Sequence, residues 1–538
     1  MYDSGAESGY HEIVRLAAID VGSNSVHMVV ADVGAGGRIE VVDRVKEMVR
    51  LGRRAFSTGR LGAEAMQLAA RTLRTFARLA RARHVEQLTA VATSAVRESR
   101  NGAEFVRRLR RETGLEVRVI SGIEEARLIS RAAHHALGLE GGPHLLIDVG
   151  GGSVEISLAR DGRPLWLRSF PLGTARLTER FILRDPPSAG QVRQLERHLA
   201  RELRPVLDRV RRAGVVRAIG TSGTVNTLVS MAHAARGEDM LRLHGSSATA
   251  AEIARLRRRV LAVGPAKRAD LPGMEAKRVD LMPASAVLLD FILTRAGIGE
   301  IMACTWALRE GLLLELARPR AARGRRAGGV RRRSVEALAA RFAGRNAHGR
   351  QVARLAGALF DATAVSLDLP VSARELLEYA ALLHDVGHAI DHGNHHRHSA
   401  YLIRSTELLG FEPIEIEAIA QVVRGHRKQA PKPADPEIAV LPPRLRRTVR
   451  RLAALLRLAD ALDRAHFGII KNLHITERAG RFVIDVDSGG ENAELELWAA
   501  ERRVDLLRRL LDRPVIVRLQ ASMSPALAHV PARAVGRA

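Results

Sequence analysis

The chain has 538 residues, 46% of them apolar and 3% aromatic, with 85 Lys and Arg against 59 Asp and Glu for a formal net charge of +26. That length suggests about three to four domains, and so few aromatics argue against the base-stacking platforms of single-strand nucleic-acid binders. Nucleic acid is therefore not expected as the main partner, although the charge favours some polyanion. Cys304 is the only cysteine, so no internal disulfide is possible and a reducing compartment is expected. The N-terminal MYDSGAESGYHEIVR is polar and acidic, unlike a signal peptide. No stretch approaches about 18 uninterrupted apolar residues. A soluble, cytoplasmic protein with no membrane partner is expected.

Residues from about 15 to 135 alternate strand and helix signals. LAAIDVG, SVHMVVADV and IEVVDRV read as strands, Glu64–Arg83 has helical spacing, and QLTAVATS and LEVRVISG read as strands followed by helices. A second unit opens at HLLIDVGGGS and continues through a helical stretch near Ser188–Arg212, the strand VVRAIGTSG and further helices to about Ala317. Residues 318–333 hold eight arginines and no acid, and read as an exposed linker. From Ser334 to about Leu473 the pattern is helical. The tail alternates again in LHITE, RFVIDVDS, AELELWA and PVIVRLQ, suggesting a small α+β appendage. The expected division is 1–135 and 136–317 for two α/β halves, 318–333 for the linker, 334–472 for a helical domain and 473–538 for the appendage.

One phrase occurs twice. Asp20–Val30 reads DVGSNSVHMVV and Asp148–Leu158 reads DVGGGSVEISL, with Asp, Val, Gly, Ser and Val in register 128 residues apart. Each copy lies between apolar runs, which makes it strand, small turn, strand. Such a tip cradles phosphate because glycine lets the backbone approach and its N–H dipoles converge on the anion. Two α/β halves, each opened by the same hairpin, indicate a duplicated α/β fold with a cleft between the halves.

Four segments are candidates to meet in that cleft. Two are the turns Gly22, Ser23, Asn24, Ser25 and Gly150, Gly151, Gly152, Ser153. A third is Gly220–Thr224, where Gly220, Ser222, Gly223 and Thr224 follow a strand and precede a helical run. The fourth is TSAVRES, whose Arg97 suits bidentate contact with phosphate oxygens. Phosphoryl transfer to water needs charge neutralisation, an aligned water and a group to orient it. Candidate bases are Glu124, Glu125 and Glu155. Ser121 and Glu124 have the spacing of a capping box, which gives Glu124 a structural task and leaves Glu125 as the better catalytic candidate. Asp20 and Asp148, at the strand ends, suit Mg²⁺ held through water.

These motifs together (AIDVGSNSVHMVV, ATSAVRES, VISGIEEARLI, LLIDVGGGSVEISL, GTSGT and ALREGLL) resemble the exopolyphosphatase and guanosine pentaphosphate phosphohydrolase family from about residue 15 to 316. The resemblance implies the duplicated actin-like, ribonuclease H-like fold of sugar kinases and chaperone ATPases. It implies Mg²⁺-dependent release of terminal phosphate from inorganic polyphosphate, or of the 5′ terminal phosphate from guanosine pentaphosphate. The family's catalytic Glu falls on Glu125, its other important acids on Asp148 and Glu155, and its phosphate-binding positions on the glycine-rich turns and Arg97. A homodimer is a further family analogy.

Six of the 20 histidines fall within residues 384–398, HDVGHAIDHGNHHRH. With His348 upstream and Asp460 downstream, His384 and Asp385 form a set that suits Mn²⁺, Mg²⁺, Fe or Zn²⁺. This region resembles the HD phosphohydrolase superfamily, whose ligands would fall on His348, His384, Asp385 and Asp460. His398 and His426 are candidates for a second metal position. If active, such a domain hydrolyses a phosphomonoester or nucleotide.

Overall fold

The computed structural model describes residues 13–520 apart from 35–38, 140, 216, 239, 241, 318–328, 345, 433–434 and 479. Most of the arginine-rich stretch expected as a linker therefore lies outside the described residues. Its last four residues already belong to the helix Val330–Ala343. Two compact units result. The first runs to Ser334 and includes Leu409–Pro413; the second holds Val335–Leu408 and the chain from Ile414 onward. The small returning segment is fixed to the first unit by backbone: Gly410 N–H donates to Ala136 O at 2.7 Å, and Gly410 O accepts from Arg331 Nε at 2.8 Å.

In the first unit, one sheet holds β1 (Val14–Val21), β2 (Ser25–Val33), β3 (Ile39–Met48), β4 (Gln87–Ala92) and β5 (Val117–Val119), in the order β3-β2-β1-β4-β5. A second holds β6 (Pro143–Val149), β7 (Val154–Arg160), β8 (Arg163–Phe170), β9 (Arg217–Thr221), β10 (Ser247–Thr249) and β11 (Glu300–Ala303), ordered β10-β11-β9-β6-β7-β8. The duplication is visible in the pairing. In each sheet three consecutive strands form an antiparallel meander and the fourth joins the first in parallel, β4 beside β1 and β9 beside β6. This bears out a duplicated α/β architecture.

Both faces of the first sheet are covered, which is why its central strands read as continuous apolar runs. Along β1, Ala17, Ile19 and Val21 enter one core, with Leu73, Phe76 and Phe105 from the covering helices Ala63–Ala82 and Gly102–Thr113. Leu16 and Ala18 enter the opposite core, with Leu128 of the helix Gly122–Leu137 and Leu312 and Leu313 of the helix Leu308–Leu316. The period of two is the strand's own. The last helix of the second half thus returns to cover the first sheet.

The second unit is mostly helical, with Ala347–Thr363, Ala373–Leu383, His395–Ser405, Pro413–Arg424 and Pro443–Ala461; His348, His395, His396 and His398 lie within these helices, His384 directly follows Ala373–Leu383, and His426 lies two residues past Pro413–Arg424. Its appendage is a sheet of β12 (Asn472–Arg478), β13 (Arg481–Asp487) and β14 (Val515–Leu519), with β13 in the middle. AELELWA, expected to alternate as a strand, is instead in the helix Glu494–Glu501. The residues it buries, Glu496, Ala499 and Ala500, have helical spacing, and its Glu, Leu and Ala content favours helix over strand. No helix among the described residues is long and apolar enough to cross a membrane.

The helices Gly122–Leu137 and Leu308–Leu316 meet at Gly311, where an added Cβ would lie 2.3 Å from Leu128 O. Gly311→Ala should therefore destabilise by about 1–3 kcal/mol through overpacking, although alanine is the better helix former by about 1 kcal/mol. A melting temperature lowered by roughly 2–10 °C in calorimetry is expected. An increase would show that propensity outweighs the close approach.

Candidate functional site

The repeated hairpins close identically. Gly22 N–H donates to Ser25 O at 3.1 Å and Gly150 N–H to Ser153 O at 3.0 Å. In each, the strand-end Asp stands across the ladder from the residue seven positions later, Asp20 opposite His27 and Asp148 opposite Glu155. Carbonyls of both turns are taken by amides from outside: Gly52 donates to Ser23 O, Arg50 to Asn24 O, Thr174 to Gly150 O and Ala175 to Gly151 O. What the turns can offer an anion is their N–H groups.

The turns face each other. A Cβ on Gly151 would stand 3.3 Å from Asn24 Cβ, and one on Gly152 would stand 2.0 Å from Ser94 Oγ and 2.6 Å from Ser23 Oγ. Around them lies a cavity of about 460 Å³ whose lining includes both turns, Asp20, Glu125, Asp148, and Ser222, Gly223 and Thr224 at the start of the helix Ser222–Ala235. The structure thus brings together most of the sequence-predicted set. Three members stand behind the lining: Glu155, on β7, Gly220 and Arg97. Gly220 is a residue of β9, and its missing side chain makes room for Val225 and Ile301. Arg97, expected on phosphate, here holds the catalytic candidate: its Nη1 lies 3.2 Å from Glu125 Oε2 and donates to Ile120 O at 2.8 Å.

Glu125 sits in the first turn of Gly122–Leu137. Ser121 caps that helix, accepting from Glu124 N–H at 3.1 Å. The capping box is only half made, because the Glu124 carboxylate goes to Arg118. Glu124 is still tied to structure while Glu125 turns inward, buried at 7% exposure. Gly122 permits this placement, since a Cβ there would lie 2.5 Å from Ser169 Oγ. Ser169 in turn donates to Glu155 Oε1 at 2.7 Å.

Four largely buried carboxyl groups therefore lie close together. Burial first, then the charge of Glu155, raises Glu125 well above the usual carboxylate range, against the pull of Arg97. Burial pushes Asp20 up to about 7, with Arg309 opposing, and Glu155 up to about 8, with Asp148 adding to the effect. Asp148 is raised by burial despite the hydroxyl of Thr221, which donates to it. Asp20 Oδ1 and Glu155 Oε2 are buried with no hydrogen-bond partner.

Sequence reasoning did not select the cationic wall. Lys46 on β3, Arg278 after the segment Ala276–Arg278 begins, and Arg309 on Leu308–Leu316 all line the cavity. Arg309 lies within the quoted ALREGLL, 3.2 Å from His27 Nδ1, and was the one legible member. Lys46 and Arg278 share Glu275 at 3.5 and 2.6 Å.

In the second unit, His348, His384, Asp385 and Asp460 converge. His348 Nε2 lies 3.2 Å from His384 Nε2, 3.4 Å from Asp460 Oδ1 and 3.7 Å from Asp385 Oδ2. Burial would lower His348, but hydrogen bonds to Asp460 and Asp463 carry it up to about 9. His426 joins them through Asp385 and His384. His398 does not: it points to Asp391, 4.0 Å away, and the remaining positions around Asp385 are filled by His388 and His395. His395 opens the helix His395–Ser405, and His398, on nearly the same face but about one turn further along the axis, reaches Asp391 instead of Asp385.

The contact of the two turns predicts a mutational signature. Gly152→Ala should push them apart and reduce phosphate release about 10²-fold or more, because misplacement near 1 Å costs that much. Ser94→Ala removes the nearest obstructing atom, so the double variant should recover part of the loss in steady-state kinetics. Strict additivity of the two effects would argue that Gly152 does not abut Ser94.

Comparison with known proteins agrees with this geometry. Residues 29–319 match the family model of the Ppx/GppA phosphatase family, and residues 330–497 match that of domain III of the Ppx/GppA phosphatases. An exopolyphosphatase from Cytophaga hutchinsonii is 29% identical with a TM-score of 0.54, over 57% of this chain and 98% of that one. A Ppx/GppA family member from Aquifex aeolicus is 28% identical with a TM-score of 0.50, over 57% of this chain and 99% of that one. The chain belongs to the Ppx/GppA phosphatase family, and is a hydrolase of phosphoanhydride bonds.

Proposed function

We propose that the first unit is an exopolyphosphatase, removing the terminal phosphate of inorganic polyphosphate with water oriented by Glu125. The observation that carries this reading is the position of Glu125 in one cavity with both phosphate-type turns and the wall of Lys46, Arg278 and Arg309. The turn amides and the cations take the phosphate oxygens, which neutralises the charge that otherwise repels an incoming nucleophile. Glu125 accepts a proton from water as its oxygen bonds to the terminal phosphorus, and the bridging oxygen leaves on the shortened chain. A carboxylate raised toward neutrality by burial is a stronger base than an exposed one while still ionisable. Arg97 limits that rise and fixes the carboxylate's direction.

Mg²⁺ fits the donor set. Asp20 and Asp148 are hard oxygen donors at the ends of equivalent strands, and the orphaned Asp20 Oδ1 is a buried oxygen without a proton donor. When bound, Mg²⁺ would neutralise developing charge on the phosphoryl oxygens. Asp148 is held for this by Thr221, and Glu155 lies behind it on β7.

A polymer of phosphate is favoured over guanosine pentaphosphate because no Phe, Tyr or Trp is among the described residues lining the cavity. A guanine base has a planar face that such a ring would stack against favourably. The second reading, 5′ phosphate release from guanosine pentaphosphate, uses the same machinery.

Glu125→Gln keeps the shape and removes the base. It should lose roughly 10²–10⁴ in kcat on long polyphosphate while polymer binding is retained. Unchanged turnover removes Glu125 from the mechanism. For the wild type, kcat/KM should be higher for polyphosphate than for guanosine pentaphosphate, and the reverse order selects the second reading.

A further inference from the structure

One carboxylate of the first cavity stands outside the hydrolytic reaction. Glu275 lines the cavity together with Lys46 of β3 and Arg278. Its Oε2 accepts from Arg278 Nε at 2.6 Å and faces Thr227 Oγ1 at 3.4 Å, while its Oε1 lies 3.5 Å from Lys46 Nζ. Lys46 belongs to the first sheet, whereas Glu275 and Arg278 belong to the second half, so the contact crosses the cleft. A neighbouring ion pair follows the same course, with Arg50 Nη1 3.5 Å from Asp280 Oδ2.

The two cations sit where a negative charge is needed. A Cβ on Gly223 would lie 1.6 Å from Arg278 Nη2 and 2.1 Å from its Cζ, so the guanidinium packs over the first turn of the helix Ser222–Ala235. A helix's first turn has amides without intrahelical partners and is the positive end of the dipole. A cation there is unfavourable until an anion joins it. Lys46 feels the same excess: burial first, then the charge of Arg278, lowers it from its ordinary range, with Glu275 acting against this. Glu275 supplies the missing charge. Burial would raise its carboxyl, but the charge and hydrogen bond of Arg278, followed by those of Lys46, hold it below the usual carboxylate range.

A carboxylate and a phosphoryl group compete for the same donors, because both present anionic oxygens to a guanidinium and an ammonium. Glu275 is tied beside Arg278 by backbone, since Arg278 N–H donates to Glu275 O at 2.9 Å. Its carboxylate therefore acts at high effective concentration. It is also free to leave: its side chain is 40% exposed, whereas Glu125 and Asp148 are buried. A phosphate group that takes Lys46 and Arg278 must break both contacts of Glu275. A long chain offsets that loss at the two turns and Arg309, while a short anion has fewer places to do so.

We propose that Glu275 is a tethered competitor of phosphate, its carboxylate occupying Lys46 and Arg278 until a phosphoryl group displaces it. The identity of the substrate rests on the polyphosphate reading above, but the competition is between a carboxylate and any phosphate anion. Displacement costs the same for each ligand, so it sets a threshold that the most weakly held anions fail first. The polymer stays bound while cleaved inorganic phosphate leaves. Glu275 is thus a specificity-determining residue that exchanges no proton and forms no bond in the reaction.

The test measures binding of imidodiphosphate, whose P–N–P bridge resists hydrolysis, to the full chain by calorimetry in the presence of Mg²⁺. Glu275→Gln keeps the side chain's length and removes its charge. It should tighten imidodiphosphate about threefold or more, since each partly exposed ion pair it abolishes is worth a factor of up to about five. Inorganic phosphate should inhibit polyphosphate hydrolysis by Glu275→Gln at a correspondingly lower concentration. In a Lys46→Gln background, Glu275→Gln should tighten imidodiphosphate by a smaller factor, because one of the two contested contacts is already gone. Binding that is equal or weaker in Glu275→Gln than in wild type shows that the carboxylate merely supports Arg278, and overturns the proposal. Tighter imidodiphosphate binding in a chain that cleaves guanosine pentaphosphate but not polyphosphate overturns the polyphosphate reading and leaves the competitor standing.

Discussion

The contact between two glycine turns is the constraint on which the first unit's chemistry depends. Gly151 and Gly152 lie against Ser23, Asn24 and Ser94 so closely that a methyl group has no place. Each turn ends a strand whose last carboxylate is Asp20 or Asp148, so bringing the turns together also brings the acids together. Both sheets are anchored by cores covered on two faces, and those cores supply the hydrophobic burial that offsets the electrostatic cost of the meeting. Strand register decides the outcome: a slip by one residue would send Asp20 and Asp148 to the opposite faces.

That cost is substantial. Burying an unpaired carboxylate is worth several kcal/mol against the fold, and like charges nearby add to it. Only Glu125 has a cation at hydrogen-bonding distance, Arg97, while Glu155 and Asp148 rest on the hydroxyls of Ser169 and Thr221. Such a set persists where it serves a ligand. The cations Lys46, Arg278 and Arg309 line the same cavity, and Arg309 is close enough to oppose the rise of Asp20 and Asp148. The second unit solves the same problem differently. There the acids Asp385 and Asp460 are interleaved with imidazoles, which accept a proton or a cation.

Much of this was legible from the chain, for identifiable reasons. The repeated phrase marks both turns and both strand-end acids, because its chemistry is local. Glu125 was separable from Glu124 by position on a helix, and the structure gives Glu124 to Arg118 even though the full capping box does not form. Lys46 and Arg278 were not legible, since nothing near them in sequence distinguishes them from the chain's many other basic residues; tertiary folding alone brings them to the cavity. Gly220 looked like part of a phosphate loop because GTSGT is small and polar, but the strand runs through Thr221 and only the residues beyond it reach the cavity. His398 was chosen from a dense run where spacing could not say which ring turns inward, and AELELWA satisfies both periods over so few residues.

The two units also differ in what their walls could recognise. Among the described residues, the first cavity has no Phe, Tyr or Trp, and its polar groups are turn amides, hydroxyls, cations and the carboxyl groups of Asp20, Glu125, Asp148 and Glu275. Such a surface responds to charge and its spacing. The second pocket offers an indole and several guanidinium groups above a histidine and carboxylate floor. A surface with a ring on one side discriminates among substituents, because stacking contributes only when the ligand has a planar face.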